Sequence, residues 1–333
     1  MSSLVAIRGG TGSVRNVLSE CSSRSRMESL ASRLRSSVRA HCPKESSSKV
    51  EDSFHFVGVR VRFRQPLAMT SGRLVPGVTA VVLSNSLKGG VGKSTVAVGL
   101  ASALHRGLGL TCGVLDADIY GPSVLHLVRA STRRQARSRD RAQRRLEPLC
   151  TESGLKVFGL AALQQRPMEA LVWRGPVATR AVQQLVFDVA WAPLDVLVID
   201  TPPGTGDVLL TLAQQVQLQG ALLVTTPQQL VETQVRRGLD ALQRLSIPVL
   251  GVVENMAYFV CSQCHHEEHV FGAPRLRADE LAKLASSRVL AQLPLTNALC
   301  EAADQGRMDQ DEKTQAHFAD LAVQVASLLG FPV

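Results

Sequence analysis

The chain has 333 residues, 45% hydrophobic and only 4% aromatic, with a formal net charge of +9. That length allows one large α/β domain with extensions, or two domains, and the scarcity of aromatics argues against a base-stacking nucleic-acid platform. The charge is concentrated: residues 1–75 carry 13 Lys/Arg against 5 Asp/Glu, and Arg129–Arg145 carries 8 Arg against 1 Asp, so the remainder is acidic at −6 and gives no case for specific nucleic-acid binding.

Residues 1–44 hold 11 Ser and 7 Arg against only Glu20 and Glu28. This Ser-rich, Arg-rich, acid-poor pattern is that of an organellar transit peptide and predicts a mitochondrial matrix address. Residues 45–75 continue as a linker, so 1–75 is expected to be a leader and linker, and 76–333 the folded domain. One alternating patch, Phe54–Phe63, reads as an edge strand. No apolar run reaches the roughly 20 residues of a membrane-spanning helix, so no transmembrane segment is expected.

From Val78 the pattern becomes strand then helix, repeatedly. Thr79–Leu83 is an apolar strand, and Ser94–Arg106 places Val96, Leu100 and Leu104 at helical spacing. Thr111–Leu115 and Lys156–Leu160 are short strands, with the charged run Arg129–Arg145 between them as a solvated insertion or a docking patch for an acidic partner, RNA or an anionic membrane. Val177–Val189 is helical by period. Leu194–Ile199, Ala221–Thr225 and Val249–Val253 are apolar on both faces, and a helix over Val231–Leu245 separates the last two. Doubly apolar strands alternating with amphipathic helices define an α/β fold, a mostly parallel sheet flanked by helices on both faces.

The first strand runs into KGGVGKST, residues 88–95. This is the phosphate-binding end of a P-loop. The backbone from Gly89 and Gly90 through Val91 to Gly92 is suited to cradle phosphates, Lys93 to neutralise them, Ser94 to ligate Mg²⁺ and Thr95 to reach the α-phosphate. The strict pattern asks for Gly at 87, where this chain has Leu, and a leucine at positive φ would be strained.

Two further stretches supply carboxylates. Asp116 and Asp118, two residues apart at a strand end, are expected on one side, one to orient the attacking water and the other to reach the metal's water shell. VLVIDTPPGTGD, 196–207, ends an apolar strand in Asp200, a Walker B carboxylate for Mg²⁺. Its Pro-Pro-Gly turn suits a switch loop, with Asp207 a further candidate contact to the γ-phosphate.

Seven cysteines without regular spacing do not make a disulfide scaffold. Cys261 and Cys264 alone form a CxxC, which provides two thiolates, half of a four-thiolate site. His265, His266 and His269 follow, so a zinc site within one chain and a site shared by two chains both remain open.

KGGVGKST, DADIYGPS, WRGP (173–176), IDTPPGTGD, TTPQ (225–228), ENM (254–256) and the CxxC followed by FG (271–272) occur in that order. The set resembles the Mrp/NUBPL family of deviant P-loop ATPases, iron–sulfur cluster carriers with a P-loop NTPase fold of the SIMIBI, MinD-like type. The resemblance covers about residues 74–330. It implies a homodimer that binds ATP and Mg²⁺, with Lys88 as a signature lysine reaching the partner's nucleotide, Asp118 activating water and Asn255 contacting adenine. It also implies a labile [4Fe–4S] cluster bridging two subunits through Cys261 and Cys264, passed to apo-proteins. The transit-like leader points to the mitochondrial NUBPL-like branch and to complex I subunits as clients. Leu87, Ser262 in place of a common Pro and the long Arg-rich run depart from the pattern. A MinD/ParA-like positioning ATPase and an ATPase-impaired scaffold are the alternatives. His317–Val333 contains no Lys or Arg and so lacks the basic C-terminal helix of the former.

Overall fold

The computed structural model describes residues 53–56, 59–62, 70–130, 145–163, 175–228, 232–264, 266–271 and 276–333. The transit-like residues 1–44, residues 131–144 of the Arg-rich run, the first half of WRGP and His265 lie outside the described residues. The chain divides into two units, 1–66 and 67–333.

In the first unit, β1 (Ser53–Phe56) and β2 (Val59–Arg62) pair antiparallel with each other, Phe54 opposite Val61. The patch expected as one edge strand is therefore a hairpin. Its two halves pair and so satisfy each other's backbone groups.

The second unit is built on an eight-stranded sheet. Its first half contains β3 (Val78–Asn85), β4 (Cys112–Asp116), the short β5 (Leu149–Cys150), β6 (Lys156–Gly159) and β7 (Leu194–Asp200). Its second half contains β8 (Gly220–Thr225), β9 (Val249–Glu254) and β12 (Val289–Gln292), while β10 (Phe259–Val260) and β11 (Glu267–Glu268) form a separate hairpin. The strand order is β12-β9-β8-β3-β7-β4-β6-β5, and only the β5–β6 pairing is antiparallel. The mostly parallel sheet expected from the doubly apolar strands is the one observed.

Alternation along each strand sends side chains to two cores. Val196 and Val198 of β7 join one, together with α1 (Lys93–Leu108), α2 (Val124–Leu127), α7 (Asn297–Asp304) and α8 (Glu312–Leu329). Leu197 and Ile199 join the other, together with α3 (Gly175–Phe187), α4 (Asp207–Gln215), α5 (Glu232–Arg244) and α6 (Leu276–Leu284). Helix α1 approaches α8 closely at Gly99, where a β-carbon would enter the ring of Phe318. Gly109 ends α1 in the left-handed region at φ 68°, its N–H bonded to the Leu104 carbonyl, and His105 and Arg106 in the last turn complement the helix dipole.

From β3 the chain runs outward to β4 and β6, and later returns through β7 to β8, β9 and β12 on the opposite side. This reversal around β3 opens a crevice at the carboxyl ends of the strands, where open α/β sheets bind ligands. The P-loop, the DADIYGPS loop, the switch loop and Asn255 all leave the sheet at that edge.

Candidate nucleotide and cluster sites

The P-loop joins β3 to α1. Gly90 and Gly92 adopt φ of 74° and 82°, which an L side chain rarely takes, and a β-carbon on Gly90 would meet nothing within 4 Å. The loop is thus open above Gly90. Gly92 caps α1 without a side-chain hydrogen bond, and the first turn of α1 carries no acidic residue, so the helix presents its N-terminal N–H groups unopposed. Lys93 is buried, and its carbonyl accepts a 3.1 Å bond from the Ser84 hydroxyl of β3. Leu87 is not among the residues with positive φ, so the strain expected of it is absent. Its side chain packs instead onto the second core.

The carboxylates come together differently from the sequence expectation. Asp116 and Asp200 are register partners on β4 and β7, and they are side-by-side neighbours on the α1 face. Asp116 is consumed by the loop that follows it: Oδ2 accepts from the N–H groups of Ser123 (2.9 Å) and Val124 (3.0 Å), and Oδ1 from that of Asp118 (3.1 Å). It therefore anchors the start of α2, and both of its oxygens accept backbone N–H groups. Asp118, half-buried, accepts from the N–H groups of Tyr120 and Gly121, which fix its carboxylate at the mouth of the crevice.

Asp200 is 1% exposed. Its Oδ2 accepts a 2.5 Å bond from the Ser94 hydroxyl, while its buried Oδ1 has no partner. Burial first, and the adjacent Asp116 charge second, raise its pKa well above the ordinary carboxylate range, against the lowering effects of Ser94 and Lys93. Burial also raises Asp116. A buried carboxylate beside a serine hydroxyl, with one oxygen unpartnered, fits a divalent cation.

The switch loop is tied to the P-loop strand. The Thr201 hydroxyl donates to the Ser84 carbonyl (2.9 Å) and the Gly204 N–H to the Ser86 carbonyl (2.9 Å). Gly204 has φ 87°, and exposed Asp207 begins α4. On the other side, Asn255 Nδ2 donates to the Val91 carbonyl (3.0 Å), while its buried Oδ1 has no partner. Asn255 was expected at adenine; here its amino group braces the P-loop itself. Lys88 Nζ lies 2.5 Å from Gln228 Oε1, so within this chain the lysine is held by the TTPQ segment. Sequence reasoning gave Gln228 no role, because two residues so distant in sequence carry no shared pattern.

The CxxC occupies the tip of the β10–β11 hairpin. Val260 is paired with Glu267, and the Cys261 N–H donates to the His266 carbonyl (3.0 Å). The hairpin is braced by Leu295, whose N–H donates to the Tyr258 carbonyl (2.7 Å). Cys264 is exposed and Cys261 half-buried. The Cys261 pKa is lowered, first by the Cys264 N–H and then by that of Gln263, both of which favour the thiolate. His269 Nδ1 is turned to the Ala257 carbonyl (3.2 Å), and its ring packs edge-on against Tyr258. No group of three or more His, Cys, Asp or Glu converges as metal ligands among the described residues. Cys112, by contrast, is a core side chain whose thiol burial pushes up to about 12.

Fold and loop define the class: a P-loop nucleoside triphosphatase. A family profile described as "ParA: NUBPL iron-transfer P-loop NTPase" matches residues 77–327. An iron–sulfur cluster carrier protein of Pseudomonas fragi is 46% identical over 240 residues, 70% of this chain and 80% of the relative. Another, of Haemophilus influenzae, is 42% identical over 260 residues, 77% of this chain and 68% of the relative. A solved nucleotide-binding protein of Archaeoglobus fulgidus in complex with ADP superposes with a TM-score of 0.59 at 32% identity, covering 73% of this chain and 93% of that one. The chain belongs to the NUBPL iron-transfer P-loop NTPase family.

The mitochondrial matrix address is corrected by the same comparisons. These cluster carriers come from bacteria, which have no such organelle, so membership of the family brings no mitochondrial placement. The expectation rested on N-terminal composition alone, outside the matched residues.

Proposed function

We propose that the chain is an ATP-dependent carrier of an iron–sulfur cluster, acting as a homodimer that delivers a [4Fe–4S] cluster to apo-proteins. The observation that carries this reading is the exposed CxxC at a hairpin tip with two thiols and no further converging ligand among the described residues. A four-thiolate cluster needs four such ligands, and two copies about a two-fold axis provide them. Zinc within one chain would need two more side chains at the same tip, and no group of three or more His, Cys, Asp or Glu converges there among the described residues. The cluster is cargo. Its release is a ligand exchange in which a client's thiolates replace those of Cys261 and Cys264, and an exposed tip leaves room for that approach. The complex I client rested on the organellar address and is not carried into the proposal; the client is an apo iron–sulfur protein as a class.

The nucleotide site fits the same reading. Gly89 to Gly92 and the N-terminus of α1 would cradle the phosphates, with Lys93 and Thr95 beside them. Ser94 and Asp200 would hold Mg²⁺. Bound MgATP supplies a phosphoanhydride for hydrolysis, with the metal neutralising charge on the phosphate oxygens. Asp118, fixed by Tyr120 and Gly121, would orient water. Lys88 would leave Gln228 to reach the partner subunit's phosphates. The bonds from Thr201 and Gly204 to β3 and the P-loop connect the phosphate site to the switch loop, which gives hydrolysis a mechanical outlet. Leu87 imposes no backbone strain, which supports a working nucleotide site over an impaired scaffold.

Anaerobic reconstitution with iron and sulfide tests the proposal. Wild type should turn brown with a thiolate-to-iron band at about 400 nm, and the Cys261→Ser/Cys264→Ser variant should stay colourless. A wild-type protein that takes up zinc but no iron–sulfur chromophore contradicts it.

A further inference from the structure

We infer that Leu87 and Gly238 form a matched pair through which α5 positions the P-loop and Lys88. The inference rests on the nucleotide-site reading above.

Leu87 stands where a glycine was expected, immediately before Lys88. Its backbone stays out of the left-handed region, so the position does not demand glycine, and its side chain turns into the second core. What it meets there is Gly238, buried midway along α5. A helix interior disfavours glycine, whose backbone freedom is lost without a side chain to bury, so a packing cause is called for. The geometry gives one. A β-carbon on Gly238 would run into Leu87 Cδ2, and would lie 3.1 Å from Cγ and 3.2 Å from Cδ1. Turning Leu87 about its outer bond moves only the two methyls. Cγ is relieved only by a change of χ1 or a shift of the backbone, and that backbone leads directly into Lys88. Leu242, one turn further along α5, belongs to the same core, so the helix itself is held.

The next residue is held from the same connection of the sheet. Lys88 Nζ bonds Gln228, which follows β8 and precedes α5. Residues 87 and 88 are therefore fixed at two points of the β8–α5 connection, the leucine by shape and the lysine by a hydrogen bond. Leu87 and Gly238 are positioning residues, acting through Lys88 and the loop.

The test is Gly238→Ala in two backgrounds, wild type and Leu87→Ala, read by fluorescent-ATP affinity in the presence of Mg²⁺ and by melting temperature without nucleotide. In the wild-type background, Gly238→Ala should weaken MgATP about tenfold, equivalent to about 1.4 kcal/mol, and lower the melting temperature. In the Leu87→Ala background, Gly238→Ala should leave affinity unchanged and raise the melting temperature, because alanine is the better helix former. An equal cost in both backgrounds overturns the pairing. A melting temperature that inverts while affinity never moves overturns the positioning role. If Gly238→Ala fails to fold, the double variant must recover both folding and binding, and its failure to do so also overturns the pairing. Wild-type MgATP binding tests the underlying nucleotide-site reading separately.

Discussion

Replacing Asp200 by Asn separates what this carboxylate does for the fold from what it does for the ligand. Asp200 is almost fully buried beside Asp116, with Oδ1 unpartnered and only Ser94 and Lys93 in compensation. Burial raises the Asp200 pKa to about 8, so near neutral pH the metal-free carboxyl must take up a proton on folding, and a neutral isostere avoids that cost, on the order of 2 kcal/mol. In a domain of this size that is roughly 5 °C in melting temperature. Metal-free Asp200→Asn should therefore be more stable than wild type. The pH dependence follows with its sign. Asp200 and Asp116 both have raised pKa values in the folded state. The folded protein thus binds protons more tightly than the unfolded chain, and stability is lost as pH rises from the ordinary carboxylate range through about 6 for Asp116 and about 8 for Asp200. Wild type should show that decline without metal, and Asp200→Asn should make it shallower, leaving the share due to Asp116. The ligand effect has the opposite sign. At a hundred times its Kd, MgATP should add about 2.7 kcal/mol to wild type and little to the variant. Calorimetric melting of both proteins, with and without MgATP, reads all of this. A metal-free variant less stable than wild type, or one that keeps the full MgATP gain, refutes the reasoning.

Gly92→Ala should leave the fold intact and reduce MgATP affinity at least about tenfold, because φ 82° resists a side chain and the new methyl would strike Asn255 Nδ2; titration calorimetry decides it, and unchanged affinity counts against the loop geometry. In the metal-free protein, Cys261 should alkylate with iodoacetamide at a lower pH than free cysteine does, since the N–H groups of Cys264 and Gln263 favour its thiolate. A rate profile matching free cysteine removes that local effect.

Much of the fold was legible because burial on both faces writes itself into a strand. LDVLVI and its counterparts in β3, β8 and β9 had few other interpretations. The nucleotide loop was legible for a related reason: close approach to phosphates demands glycines in sequence order. What stayed hidden depends on residues brought together across strands. Asp116 and Asp118 looked like a pair at i, i+2, yet parallel register sets Asp116 beside Asp200, and its oxygens go to the start of α2 and to the Asp118 N–H. Leu87 looked like a flaw until Gly238 supplied the space it occupies. Asn255 and Gln228 brace the P-loop from β9 and β8, and no local pattern announces such contacts. The hairpin tip carrying the CxxC is short and polar, so its motif was visible and its exposure was not.

The central claim is that each chain carries half of a cluster site. Iron and sulfide counts per chain, taken on the reconstituted protein together with its solution mass, test it most directly. The account predicts about two iron and two sulfide per chain, confined to a species of twice the chain mass, with both lost together in the Cys261→Ser/Cys264→Ser variant. A monomer holding a full cluster, or one zinc per chain with no sulfide, would contradict it.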